Sequence, residues 1–188
     1  MIAGLVLAAG AARRFGAPKQ LAELDGRPLL EHVLASMSRA PLDRRIVVLG
    51  AHAEEILERV DLHGAEPVLC PDWQEGQAAS LRAGLLAAAQ AEAVVVALGD
   101  QPLLSARAVA RVLAARGHGA DAVRAAYNGR PGHPVVLERI LFPRLAALSG
   151  DAGAREVLAS ASVREVPCDG LCRPDDVDTP EELEVGRT

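Results

Sequence analysis

Short apolar runs and amphipathic stretches alternate through the first two thirds of the chain. Ile2 to Ala8, Arg45 to Leu49, Glu66 to Cys70, Ala93 to Leu98 and Ala122 to Ala126 are rich in Val, Leu and Ala. Each is bounded by Gly, Asp or Pro, as strands covered on both faces are. Between them, the spacing of apolar positions predicts helices over Pro28 to Arg39, Ala53 to Val60, Ser80 to Gln90 and Ala106 to Arg116. Strands and helices alternating at this interval imply right-handed crossovers. The expected architecture is α/β, a three-layer, Rossmann-like, mostly parallel sheet with helices on both faces. After Tyr127 the rhythm changes. Asn128 to Pro134 reads as a Gly/Pro-rich link, followed by a strand at Val135 to Glu138 and helices at Arg139 to Leu148 and Ala154 to Ser160. A last strand at Val163 to Val166 precedes an Asp/Pro-rich segment and a short terminal helix. This remainder is too short for a second core, so residues 1–188 are expected to form one domain.

Composition narrows the partners. Half of the residues are hydrophobic but only 2% are aromatic, so the core must be Ala, Leu and Val, and stacking platforms for single-stranded nucleic acid are excluded. The net charge of -5 argues against a broad basic face for duplex phosphates, while leaving room for a small basic pocket. The apolar stretch from Met1 to Ala12 has its charges, Arg13 and Arg14, behind it rather than in front, and it falls short of the ~20 residues that a membrane span needs. A cytoplasmic protein with no membrane or nucleic-acid partner is expected. Three cysteines, with Cys168 and Cys172 four apart and Cys70 remote, match neither a disulfide framework nor a zinc ligand spacing.

Ligands of open α/β sheets bind beyond the carboxyl ends of the strands, so the chemistry should lie just after each strand. The first strand runs into Leu7-Ala8-Ala9-Gly10-Ala11-Ala12-Arg13-Arg14-Phe15-Gly16-Ala17-Pro18-Lys19. Small residues with Gly10 and Gly16 let backbone N–H groups approach a phosphate. The spacing is not that of a Walker loop, because Lys19 follows Pro18 and precedes Gln20, and no G-x-G-x-x-G is present. Lys19 is the only lysine, the other 19 basic residues being Arg, which points to a need for a compact ammonium charge at that position. The strand Val94 to Leu98 delivers Gly99-Asp100-Gln101-Pro102 to the same edge. A carboxylate there suits Mg²⁺, which takes one or two protein carboxylates plus phosphate oxygens and water. A turn or helix-cap aspartate before Pro is the alternative. Ser80 opens a helical pattern and could equally be its cap.

Leu-Ala-Ala-Gly followed by Arg14, Gly16, Pro18 and Lys19 resembles the signature of MobA-like nucleotidyltransferases, and among them the molybdenum cofactor cytidylyltransferases. The resemblance implies a fold of the nucleotide-diphospho-sugar transferase type. It also implies that Leu7, Ala8, Ala9, Gly10 and Gly16 wrap a nucleoside triphosphate whose phosphates Arg14 and Lys19 neutralise. The family often carries Ser or Thr where this chain has Ala12. Gly76 to Gly84 resembles a segment that lies against the nucleoside, which makes Ser80 and Arg82 candidate contacts, with Gly99 beside them. Asp178, just ahead of a Thr179-Pro180-Glu181-Glu182 capping box, becomes the second Mg²⁺ ligand with Asp100, and Asp176 its stand-in. Gly132-His133-Pro134 and Gly150 to Arg155 resemble segments flanking the acceptor. The implied reaction moves CMP from CTP to the phosphate of a molybdopterin-type acceptor, with a transient contact to a molybdoenzyme. The alternatives are guanylyl transfer to the same pterin, transfer to a sugar or polyol phosphate, and a non-catalytic nucleotide-binding accessory. Guanylyl members usually show Leu-Ala-Gly-Gly, from which Ala9 departs.

Overall fold

The computed structural model describes residues 1–11 and 17–172. Their strands are β1 (Ile2–Ala8), β2 (Glu23–Leu24), β3 (Arg27–Pro28), β4 (Arg44–Leu49), β5 (Glu66–Leu69), β6 (Ala93–Leu98), β7 (Ala122–Tyr127), β8 (Arg130–Glu138) and β9 (Val163–Pro167). The helices are α1 (Leu29–Ser38), α2 (Ala53–Arg59), α3 (Gln77–Ala87), α4 (Ala106–Ala114), α5 (Phe142–Ala146) and α6 (Ala154–Leu158). Seven strands form one sheet in the order β5-β4-β1-β6-β8-β7-β9. All neighbours are parallel except β8, which runs antiparallel to both β6 and β7.

Alternate side chains of each strand enter opposite cores, as a period of two requires. Val6 and Ala8 of β1 join Leu30, Val33 and Leu34 of α1, Ile56 of α2 and Val109 and Val112 of α4 on one face. Ala3 and Leu5 join Leu81 and Leu85 of α3, Leu145 of α5 and Val157 of α6 on the other. The three expected layers are therefore present, built almost wholly from aliphatic side chains. Gly84 lets α3 approach the sheet, since a Cβ there would lie 3.1 Å from Val48 and 3.2 Å from Leu5.

The structure corrects the expected link at Asn128 to Pro134. Asn128 and Gly129 take φ of 50° and 73°, the two left-handed residues of a tight hairpin turn, so β8 begins at Arg130 and pairs with β7 at once. Asp25 and Gly26 do the same between β2 and β3, a small hairpin that the hydrophobic pattern is too short to reveal. The prolines of β8 are tolerated because β6 pairs only with residues from Val135 onward, leaving Pro131 and Pro134 on a free edge. The pairing also slips: Arg124 faces Val135 while Ala125 faces Gly132, so His133 and Pro134 bulge out of the ladder. The charged run from Arg107 to Arg116 is partly committed. Arg116 pairs with Glu138 at 2.7 Å, and Arg111 donates to the Pro167 carbonyl. No helix among the described residues is long and apolar enough to cross a membrane.

Candidate active site

The crossovers from β1 lead through α1 to β4 on one side, while α3 leads to β6 on the other, so the crevice of the sheet opens at the ends of β1 and β6. The first loop leaves β1 there, and Asp100 follows β6 there. Pro18 precedes a single 3₁₀ turn at Lys19–Leu21, closed by Leu21 N donating to Pro18 O at 2.9 Å, and Leu21 is anchored in the core. This turn holds the Lys19 side chain inward. Its Nζ lies 2.9 Å from Asp100 Oδ2, with the lysine side chain 10% and the aspartate side chain 34% exposed. Asp100 Oδ1 is buried and meets no donor among the described residues. A carboxylate oxygen in that condition suits a cation, because an unmet buried acceptor is otherwise a penalty. Among the described residues no three His, Cys, Asp or Glu side chains converge.

The loop itself is held from behind. Gln20, buried beside Lys19, donates from Nε2 to the carbonyls of Ala8 and Gly10 at 2.9 and 2.8 Å, and Ala51 N donates to the Ala9 carbonyl at 3.0 Å. Ala8 and Ala9 are buried, whereas Gly10 is exposed and a Cβ there would meet nothing within 4 Å. Gly99 has a different reason to be glycine. A Cβ would sit 2.8 Å from that of Ala8, so this position lets the ends of β1 and β6 close together. Gly50 likewise makes room for Trp73, whose side chain fills the space beside the Ala9 carbonyl.

A cleft of about 1310 Å³ extends from this crevice along β8 and the 151–156 segment, with Leu7, Gln101, Tyr127, His133, Asp151 and Arg155 among its lining. The bulge in β8 is what delivers His133 to it. The Tyr127 hydroxyl donates to the His133 carbonyl at 2.8 Å and lies 2.7 Å from Cys172 Sγ, fixing the bulge from below. Burial, and then the Cys172 contact, push the tyrosine pKa up, so that hydroxyl remains protonated. Burial also pulls His133 down to about 4, against the opposing pull of Asp100. The folded state thus binds a proton here less readily than the unfolded chain. The contribution is present above the unfolded value of 6.5 and is lost as pH falls through about 4. We expect His133→Gln to remove an acid destabilisation on the order of 2 to 3 kcal/mol between those values, checked by urea unfolding at pH steps; parallel stability curves for the two proteins would contradict it.

Two expected nucleotide contacts, Ser80 and Arg82, lie on α3. The helix begins at Gln77, three residues before Ser80, with Gly76 at its N-cap position, so Ser80 is not its cap. Ser80 is buried. Arg82 donates to the Leu148 carbonyl at 2.7 Å and to Glu75 at 3.0 Å, which commits its guanidinium to tying α3 to its surroundings. Gly76 is needed for close approach. Its φ is 108°, and a Cβ would lie 2.5 Å from Gly150 and from Asp151 Oδ1. Arg14, Gly16 and Asp178 lie outside the described residues. Sequence reasoning missed Gln20 altogether and gave His133 no role of its own. The only available signals were the neighbourhood of Lys19 and a His-Pro pair inside a strand-like run.

Residues 4–166 match the family described as the MobA-like NTP transferase domain. The chain is 36% identical over 193 residues to Nicotine blue oxidoreductase of Paenarthrobacter nicotinovorans, covering 97% of this chain and 94% of that protein. It is 32% identical over 203 residues to Purine catabolism protein PucB of Bacillus subtilis (strain 168), covering 98% and 95%. The crystal structure of Rv0371c in complex with manganese, from Mycobacterium tuberculosis H37Rv, superposes with a TM-score of 0.84 at 33% identity, covering 98% of this chain and 96% of that one. With its fold and first loop matched across nearly the whole length, the chain belongs to the MobA-like NTP transferase domain family and is a nucleotidyltransferase.

Proposed function

We propose that this protein moves CMP from CTP to the phosphate of a molybdopterin-type acceptor, releasing pyrophosphate, with Mg²⁺ as the divalent cation. The observation that carries the reading is the Lys19–Asp100 pair, set beside the Ala8 to Gly10 loop at the switch point of the sheet. The loop offers backbone amides to phosphates, Lys19 supplies a compact cation, and Asp100 supplies a carboxylate oxygen with no other described partner. The two segments that resemble acceptor-flanking ones, Gly132-His133 and Asp151 to Arg155, line one cleft, which supports placing the acceptor there. A transient contact that passes the product to a molybdoenzyme belongs to the same proposal.

In the proposed reaction the acceptor phosphate oxygen attacks the α-phosphorus of CTP in line. One P–O bond forms, and the bond to the pyrophosphate breaks. Such chemistry asks little covalent help of the protein, so positioning and charge neutralisation dominate. Asp100 would hold Mg²⁺, with Asp178 as its second carboxylate; when bound, the cation neutralises and orients the phosphates. Lys19 and Arg14 stabilise the charge that develops on the α-phosphate and the leaving group. His133, uncharged at neutral pH, adds no cation to the acceptor side of the cleft.

The test is a thermal-shift titration with CTP, GTP, UTP and ATP, each with Mg²⁺. Nicotinamide dinucleotides are included because one relative bears the name of an oxidoreductase. A ligand at a hundred times its Kd adds ~2.7 kcal/mol, which raises Tm by roughly 5 to 10 °C for a chain of this size. We expect that shift for CTP. A shift for GTP instead would move the reading to guanylyl transfer, and no shift with any triphosphate would overturn it.

A further inference from the structure

Gln20 is 7% exposed, and both hydrogens of its amide nitrogen go to the first loop, to the carbonyls of Ala8 and Gly10. In a trans peptide the C=O and N–H of one plane point in opposite directions. Holding the Ala8 carbonyl toward Gln20 therefore turns the Ala9 N–H away from it, and holding the Gly10 carbonyl turns the Ala11 N–H away. The Ala9 carbonyl, bonded to Ala51 N, sets the Gly10 N–H in the same manner. Three successive peptide planes are thus oriented by contacts from behind, two of them from one side chain. No described residue accepts from the Gly10 or Ala11 amide, and the space where a Gly10 side chain would stand is open. Outward amides beside open space form the kind of nest that takes an anion.

We propose that Gln20 is a positioning residue that presets the first loop for a nucleoside triphosphate, acting through the backbone and without touching the nucleotide. The proposal rests on the reading that this loop receives the triphosphate. The residue type is what the task demands. A neutral amide nitrogen supplies two donors at once, an ionised Glu supplies none, and a protonated Glu supplies one. Because the loop is shaped before the nucleotide arrives, its contribution belongs equally to the bound substrate and to the transition state, and so appears in KM more than in kcat.

The experiment measures CTP-Mg²⁺ binding by calorimetry and steady-state kinetics for wild type, Gln20→Leu and Gln20→Glu. We expect Gln20→Leu to weaken binding and raise the KM for CTP roughly 10- to 100-fold, with kcat within about threefold of wild type. Relative to wild type at each pH, Gln20→Glu should recover as pH is lowered from about 8 to about 6, because burial raises the carboxyl pKa and the protonated form donates to one loop carbonyl. A merely structural role would lower Tm and the active fraction while leaving KM and the pH ratio unmoved. If Gln20→Leu fails to fold, the pH ratio of Gln20→Glu decides. Wild type that binds CTP alongside variants that bind it equally well, or a flat pH ratio, overturns the role of Gln20 alone. Wild type that binds no nucleoside triphosphate overturns the functional reading, and this proposal with it.

Discussion

Replacing Lys19 with alanine should lower kcat for nucleotidyl transfer by roughly 10² to 10³ while the protein stays folded. The ammonium is held at the sheet crevice by its 3₁₀ turn and by Asp100, and it has little freedom to be elsewhere when charge builds on the phosphates. A preorganised charge of this kind acts where water is largely excluded, which is why one group can account for a loss on the order of 3 to 4 kcal/mol in the barrier. Lys19→Arg tests the same point from the other side. Its planar guanidinium is larger and hydrogen-bonds in a fixed fork, so it should restore less than a tenth of the lost activity although the formal charge is retained. The measurement is pyrophosphate release under saturating CTP, with Tm recorded for each variant. Turnover within tenfold of wild type in Lys19→Ala would remove the residue from the chemistry.

Asp100→Asn is the second large effect. The side chain keeps its shape and one oxygen but loses the negative charge, so it stops pairing with Lys19 as an ion and binds a divalent cation poorly. On the proposed reading, kcat should fall by roughly 10² to 10³ and the Mg²⁺ concentration giving half-maximal activity should rise at least about tenfold. Lys19→Ala, by contrast, should leave the metal requirement close to that of wild type. Titrating Mg²⁺ at fixed CTP with both variants separates the two roles. An Asp100→Asn enzyme with unchanged metal dependence would show that the cation is held elsewhere.

Much of the architecture could be read from the chain because it follows from local pattern. The five runs from Ile2 to Ala126 became β1, β4, β5, β6 and β7, with ends shifted by a residue at most, since a buried strand is announced by its own composition and by the turn residues around it. The hairpin at Asn128-Gly129 was equally local, but the prolines at 131 and 134 masked it. Whether a proline is tolerated depends on which edge of a strand is paired, and that is a property of the sheet. The same limit applied to Ser80 and Arg82. Their motif suggested nucleotide contact; the fold also buries Ser80 and gives Arg82 a bond to the Leu148 carbonyl, 66 positions away, which no local pattern announces.

By itself, the sequence determined the alternation of strands and helices, the small-residue loop after the first strand, its single lysine and the aspartate that ends β6. Each of these is written in neighbouring residues. Only the tertiary structure decided that Lys19 meets Asp100 across 81 positions, that Gln20 turns the loop amides outward, and that a register slip in β8 carries His133 into the cleft. Those relations depend on which strands lie side by side and at what register. Crossovers and long-range hydrogen bonds set both, and no local run of residues encodes either.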